Sequence, residues 1–207
     1  MEEQKKRTAR EIIENYDGPA VRIMEVCGTH THEIFRLGNR KLLPKQVELI
    51  SGPGCPVCVT PVSFIDEAIY LALEKQVTIC TFGDLVRVPG SQMSLAGARE
   101  KGAKIHIVYS PADAEKYAKD HPEEQVTFLS VGFETTTPAG CLSVKQAKED
   151  GISNYSLLVA NKTMPGAYEA LKGSADVFLY PGHVNAITGT ELCEELVKEG
   201  VSGVVAG

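Results

Sequence analysis

The sequence predicts an α/β protein of two small Rossmann-like lobes, each on a mostly parallel sheet, with a cleft between them. Three observations carry that expectation. Strand-like and helix-like segments alternate along all 207 residues. The strand-like segments are near-continuous apolar runs, the pattern of strands covered on both faces. The segments that leave them concentrate Gly, Pro, Thr, Cys and His, as ligand-binding loops at strand ends do.

Element by element, Ala9, Ile12, Ile13 and Tyr16 share one helical face that Gly18-Pro19 closes, and residues 21–26 follow as a strand. A second strand spans 47–51. A helix over about 61–75 carries Ile65, Ala68, Ile69, Ala72 and Leu73 on one stripe. Residues 77–82 and 105–108 read as buried strands, and Ser110-Pro111 as an N-cap followed by proline at the first helical position. Beyond lie strands at 126–131, 155–160, 177–180 and 201–205, separated by helices near 138–150, 165–172 and 190–199. The turn His121-Pro122-Glu123-Glu124 is the expected boundary, giving lobes 1–122 and 123–207. A faint internal echo supports two lobes: Val26-Cys27-Gly28 resembles Val131-Gly132, and Pro53-Gly54-Cys55 resembles Pro181-Gly182-His183. The last strand has no helix to cover it, as expected of a piece of a longer protein.

Composition narrows function. A hydrophobic fraction of 43% supports a substantial core rather than disorder. The net charge of −6 and the absence of Trp argue against a nucleic-acid surface, which needs clustered cations and stacking platforms. The longest apolar run, residues 68–73, is far short of the ~20 residues of a membrane span. The charged first sixteen residues lack the apolar run of a secretory signal, so the expected location is the cytoplasm. In that reducing compartment six cysteines are thiols, metal ligands or redox groups before they are structural bridges.

Four loops concentrate the reactive residues. Cys27-Gly28-Thr29-His30-Thr31-His32-Glu33 places a thiol, two imidazoles and a carboxylate together, and Gly28 suggests close backbone approach or positive φ. In residues 52–61, Cys55 and Cys58 form a CxxC pair just ahead of a helix, with Thr60 as expected N-cap and Pro61 as first helical residue. The positive end of a helix dipole favours thiolates there, and the spacing suits a disulfide or two metal bonds. Zinc usually takes a second such pair, and none is present. Gly132-Phe133-Glu134-Thr135-Thr136-Thr137-Pro138 offers backbone N–H groups to an anion, or simply caps the next helix. Pro181-Gly182-His183 puts an imidazole at a strand end. Cys80, Cys141 and Cys193 read as small buried hydrophobes, and His106 and His121 as structural.

Together, MEVCGTHTHEI at 24–34, GPGCPVCVTP at 52–61, GFETTTP at 132–138 and PGHVNAITG at 181–189 resemble the signature segments of the HypD family of hydrogenase maturation factors. They stand in the same order and cover essentially the whole chain. The resemblance implies an assembly factor with redox activity, rather than a conventional enzyme, that builds the Fe(CN)2CO unit of NiFe hydrogenases. It implies a stable complex with the small chaperone HypC, and transient delivery of cyanide by HypE as a thiocyanate on its C-terminal cysteine. Carried onto this chain, Cys27 is an iron ligand shared with a HypC cysteine, and Cys55 and Cys58 are a redox-active dithiol. His30, Glu134 and His183 line the same cleft, with Gly28, Thr29, Gly54 and Thr135 as loop positions around the bound group. The resemblance also implies a 4Fe–4S cluster on clustered cysteines of a further C-terminal region in the full-length protein; none is expected in this chain, because Cys80, Cys141 and Cys193 lack cluster spacing. Two other readings stay open: a thiol–disulfide oxidoreductase using Cys55 and Cys58 alone, and a structural zinc module using Cys27, Cys55, Cys58 and one His.

Overall fold

The computed structural model describes residues 7–206. In chain order the elements are α1 (Ala9–Glu14), β1 (Val21–Glu25), α2 (Gly28–Arg36), β2 (Val47–Ser51), α3 (Val62–Glu74) and β3 (Thr78–Thr81). Next come α4 (Leu95–Glu100), β4 (Ile105–Ile107), α5 (Pro111–Asp120), β5 (Val126–Ser130), α6 (Thr137–Glu149) and β6 (Tyr155–Val159). The chain continues with α7 (Met164–Ala170), β7 (Val177–Pro181), α8 (Gly182–Thr188), α9 (Glu191–Lys198) and β8 (Ser202–Ala206). No helix among the described residues is long and apolar enough to cross a membrane.

The strands form two four-stranded sheets, ordered β2-β1-β7-β8 and β4-β3-β5-β6, and every pairing between them is parallel. The α/β architecture with two Rossmann-like lobes is therefore present. Its division differs from the expected one. One compact unit comprises residues 1–55 and 165–207, and the other comprises 56–164. The turn at 121–124 is not a boundary but lies inside the second unit, between α5 and β5. The reason is long-range pairing: β1 pairs with β7, Ile23 opposite Val177, and local periodicity carries no signal of such a partner.

Numbered within its own unit, each sheet has the order second-first-third-fourth. The loop after β5 thus corresponds to the loop after β7. The equivalent motifs are those at 132–138 and 182–188, not the pairs suggested by the echo in sequence.

Local signals explain most helix ends. Thr8 and Glu11 form a reciprocal capping box on α1, and Ser110 Oγ accepts from the Asp113 N–H at 3.1 Å with Pro111 behind it, as expected. At α3 the expectation is off by one residue. Pro61 is the N-cap, and the Thr60 hydroxyl instead donates to the Pro56 carbonyl at 2.9 Å.

The second unit's core packs Ile65, Ala68, Ile69 and Ala72 of α3 against Ile79, Leu95, Ile105 and Leu129. Each buried large aliphatic contributes roughly 1.5–3 kcal/mol. Under the first unit's sheet, Tyr180 meets Tyr168 edge-on at 5.0 Å and Phe178 at 5.8 Å between ring centroids.

Candidate functional site: the strand ends of the first unit

In the first unit the chain passes from β1 to β2 on one side and from β7 to β8 on the other. The crevice outside the carboxyl ends of β1 and β7 is therefore the topological switch point, where open parallel sheets bind ligands. Cys27 leaves β1 there, Gly182-His183 leaves β7, and Gly52–Cys55 leaves the adjacent β2. Backbone bonds hold these strands together to their ends: the Val26 N–H donates to Leu179 O at 3.3 Å, and the Gly52 N–H to Glu25 O at 2.8 Å.

The segment 28–33 is not a loop as expected but the start of α2, with buried, extended Cys27 as its N-cap. The Cys27 thiol makes no capping bond. Its backbone is in contact with Gly54. A Cβ at Gly54 would lie 2.5 Å from Cys27 Cα and N and 2.6 Å from its carbonyl carbon, so only glycine fits. The Gly28 N–H donates to Gly54 O at 2.9 Å, and a Cβ at Gly28 would stand 3.3 Å from that oxygen. Close approach, not positive φ, explains both glycines. Cys55, half-buried, follows directly on the glycine that touches the Cys27 backbone.

His30 sits one helical turn beyond Cys27. Its Nε2 is 2.9 Å from Ala206 O at the end of β8. A carbonyl only accepts, so this bond fixes the proton of the neutral ring on Nε2 and leaves Nδ1 with its lone pair. Nδ1 is buried and has no hydrogen-bond partner among the described residues. Thr29 is exposed on α2, and His183 is exposed as the second residue of α8, another helix read as a loop in the sequence. Glu25 escapes the sequence reading. It is fully buried two residues before Cys27, and its Oε1 accepts from Ser51 Oγ at 2.7 Å and from Arg40 at 3.2 Å. The signal was present: a carboxylate inside an apolar strand needs a built partner.

In the second unit, Cys58 is exposed in the turn ahead of α3. Glu134 follows β5 at that sheet's own switch point, between β3 and β5. Its Oε1 accepts from the Met164 N–H at 2.7 Å, while Oε2 is buried with no partner among the described residues. The threonines are largely committed to the loop itself. The Thr136 and Thr137 N–H groups and the Thr137 hydroxyl all donate to Phe133 O, at 3.1, 3.1 and 2.9 Å, leaving Thr135 exposed. No threonine side chain caps α6.

Among the remaining cysteines, burial pushes the Cys80 thiol up to about 12, and the Cys193 thiol also rises, chiefly through burial. Both fit the expected buried hydrophobe. Cys141 does not: it is exposed. His121, Glu123 and Glu124 offer ligand atoms within 4.8 Å of one another. Lys104 Nζ already lies 2.6 Å from Glu124 Oε1, and the Thr78 hydroxyl donates to Oε2, so this carboxylate is satisfied within the fold.

The HypD family model, described as the hydrogenase formation hypA family, matches residues 3–207. The chain is 45% identical over 192 residues to hydrogenase maturation factor HypD of Rhodobacter capsulatus, covering 90% of this chain and 51% of that protein. It is 46% identical over 175 residues to HypD of Escherichia coli K12, covering 83% and 47%. With HypD of Cupriavidus necator the figures are 44% over 202 residues, 92% and 53%. The chain spans about half the length of these curated relatives. With its motifs at parallel strand ends and the match running nearly end to end, the chain belongs to the HypD family of hydrogenase maturation factors.

Proposed function

We propose that this chain holds iron at Cys27 while the Fe(CN)2CO unit of NiFe hydrogenases is assembled, in a cytoplasmic complex with HypC and with HypE as cyanide donor. The observation that carries the reading is the contact of Gly54 with the Cys27 backbone, which brings two cysteine-bearing strand ends to one point. Iron is cargo here. Low-spin iron with strong-field ligands suits soft thiolate donors, which Cys27 and a HypC cysteine supply. The unpartnered Nδ1 of His30 adds a donor or proton acceptor one turn away.

Cyanide release from the HypE thiocyanate breaks an S–C bond and takes up two electrons and one proton, returning the HypE thiol and leaving cyanide for iron. Oxidation of Cys55 and Cys58 to a disulfide supplies both electrons and two protons, so each transfer oxidises one dithiol and releases one proton. Two cyanides need two such cycles. Re-reduction then requires an external reductant that returns two electrons and two protons to the disulfide. Glu134 and His183 are proposed proton carriers or ligand-orienting groups, and Gly28, Thr29, Gly54 and Thr135 the loop positions around the cargo.

The test is anaerobic co-purification with HypC, reading iron content and the infrared bands of bound CN and CO. Cys27→Ala is expected to lose both, while Cys141→Ala and Cys193→Ala keep them. Iron at wild-type stoichiometry in a folded Cys27→Ala complex would overturn the assignment.

A further inference from the structure

The helix α5 carries a carboxylate where its packing face calls for a hydrophobe. Pro111, Ala114, Glu115 and Ala118 recur at helical spacing and are the residues that α5 buries. Glu115 is only 8% exposed, and it makes no hydrogen bond or ion pair among the described residues. It lines a groove of about 430 Å³ between α5 and α6, whose apolar walls are Pro111, Ala112, Ala139 and Leu142. The nearby cations are committed elsewhere: Lys119 Nζ lies 2.7 Å from Asp150, and Lys145 Nζ lies 3.9 Å from Glu149. Burial and then Asp150 push the Glu115 carboxyl above its ordinary 4.5, against the smaller opposing pull of Lys119. A charge so placed is costly unless a cation or donor meets it.

We propose that the groove between α5 and α6 binds a small organic cation, a primary ammonium on a short aliphatic stem. The stem lies along the apolar walls, and the head meets Glu115 in charge-assisted hydrogen bonds. Gln146 lines the same groove and offers a second acceptor. Its Nε2 donates to Asp150 Oδ1 at 2.7 Å, and its Oε1 has no donor among the described residues. Three features set the ligand class. The volume falls within the roughly 300–1,000 Å³ of small-molecule sites. Four apolar wall residues are far fewer than the about 20–30 residues a side of a stable protein interface, which argues against a docked protein. No aromatic ring lines the groove, so a quaternary ammonium finds no cage, whereas a primary one brings the N–H groups that a carboxylate accepts. The groove lies on helix faces of the second unit, so the inference does not depend on the reading at Cys27.

The experiment titrates n-pentylammonium into the isotope-labelled full chain and follows the backbone amide shifts by NMR. Saturable shifts centred on residues 110–115 and 139–149 are expected. Glu115→Gln, which removes the charge and keeps the shape, should weaken binding about tenfold. Ala139→Leu fills the groove from an exposed helix position and should weaken it as well. Glu195→Gln, at an exposed carboxylate of α9 in the other unit, is the charge control and should bind like the wild type. Thermal melts verify that every variant folds. n-Pentanol and n-pentyltrimethylammonium carry the same stem without the N–H cation, and each should bind about tenfold more weakly. No saturable shift in the wild type overturns the site. Unchanged affinity in both Glu115→Gln and Ala139→Leu assigns the shifts to non-specific ion pairing and overturns it too. Equal affinity for n-pentanol or for the quaternary cation overturns the ligand class proposed.

Discussion

Replacing Gly54 by Ala tests whether the two cysteine loops must touch. The added Cβ would begin 2.5 Å from Cys27 Cα and N, and neither atom is the end of a flexible side chain. Carbon contacts are comfortable at about 3.5–4.0 Å, so the loop must retreat by about 1 Å. That retreat stretches the 2.9 Å bond from the Gly28 N–H to Gly54 O beyond useful length. Overpacking of this kind costs about 1–3 kcal/mol and the lost hydrogen bond about 1 kcal/mol, so about 2–4 kcal/mol of stability should disappear. The assay is urea unfolding beside iron retention in the proposed complex with HypC. Gly166→Ala is the control: it lies in α7, a Cβ there meets nothing within 4 Å, and the substitution should be neutral or slightly stabilising. If Gly54→Ala matches Gly166→Ala in both stability and iron content, close packing on Cys27 is irrelevant to the site.

The hydrogen bonds from Lys104 and then Thr78 hold the Glu124 carboxyl below its ordinary value of 4.5, against the opposing push of burial. A depressed carboxylate stabilises the fold above 4.5, and that contribution is lost as pH falls through the folded value. Glu124→Gln should cost about 1–3 kcal/mol at neutral pH and progressively less in acid, measured by urea unfolding between pH 3 and 7; a cost independent of pH would sink the account. Under reducing conditions at pH 8, iodoacetamide should modify exposed Cys141 early and Cys80 last, because burial holds Cys80 at about 12. Equal labelling rates by mass spectrometry would mean that the sheet around Cys80 opens readily. Cys193→Ala should lower stability by about 1 kcal/mol through lost packing, whereas Cys141→Ala should change it by less than about 0.5 kcal/mol in the same unfolding assay.

The eight strands and the parallel class were legible because buried parallel strands are written as apolar runs, and the Ser110 cap because its chemistry is local. What stayed hidden lacked either property. The helix α2 buries none of its residues fully and opens with Gly28, Thr29 and Thr31, so it shows no apolar stripe and little helix propensity. Short α4 and α8 escaped because six and seven residues, with Gly97 and Gly182 among them, are too few to display a helical period. The positions of Cys27 and Cys55 were legible, since motif and strand end coincide. The tautomer of His30 was not, because the carbonyl that sets it lies 176 residues away.

The second unit interrupts the first between β2 and β7. During synthesis, residues 56–164 therefore emerge as one continuous segment before β7 exists, and their contacts close over short loops. The β1–β7 pairing must close a loop of some 150 residues, and non-local contacts of that kind form late. The folding order is thus built into the chain: the inserted unit first, the outer sheet second. Until β7 and β8 arrive, Cys27 has no completed crevice around it and His30 has no Ala206 carbonyl to orient its ring. On the reading proposed above, the crevice at Cys27 is therefore complete only once the outer sheet has closed.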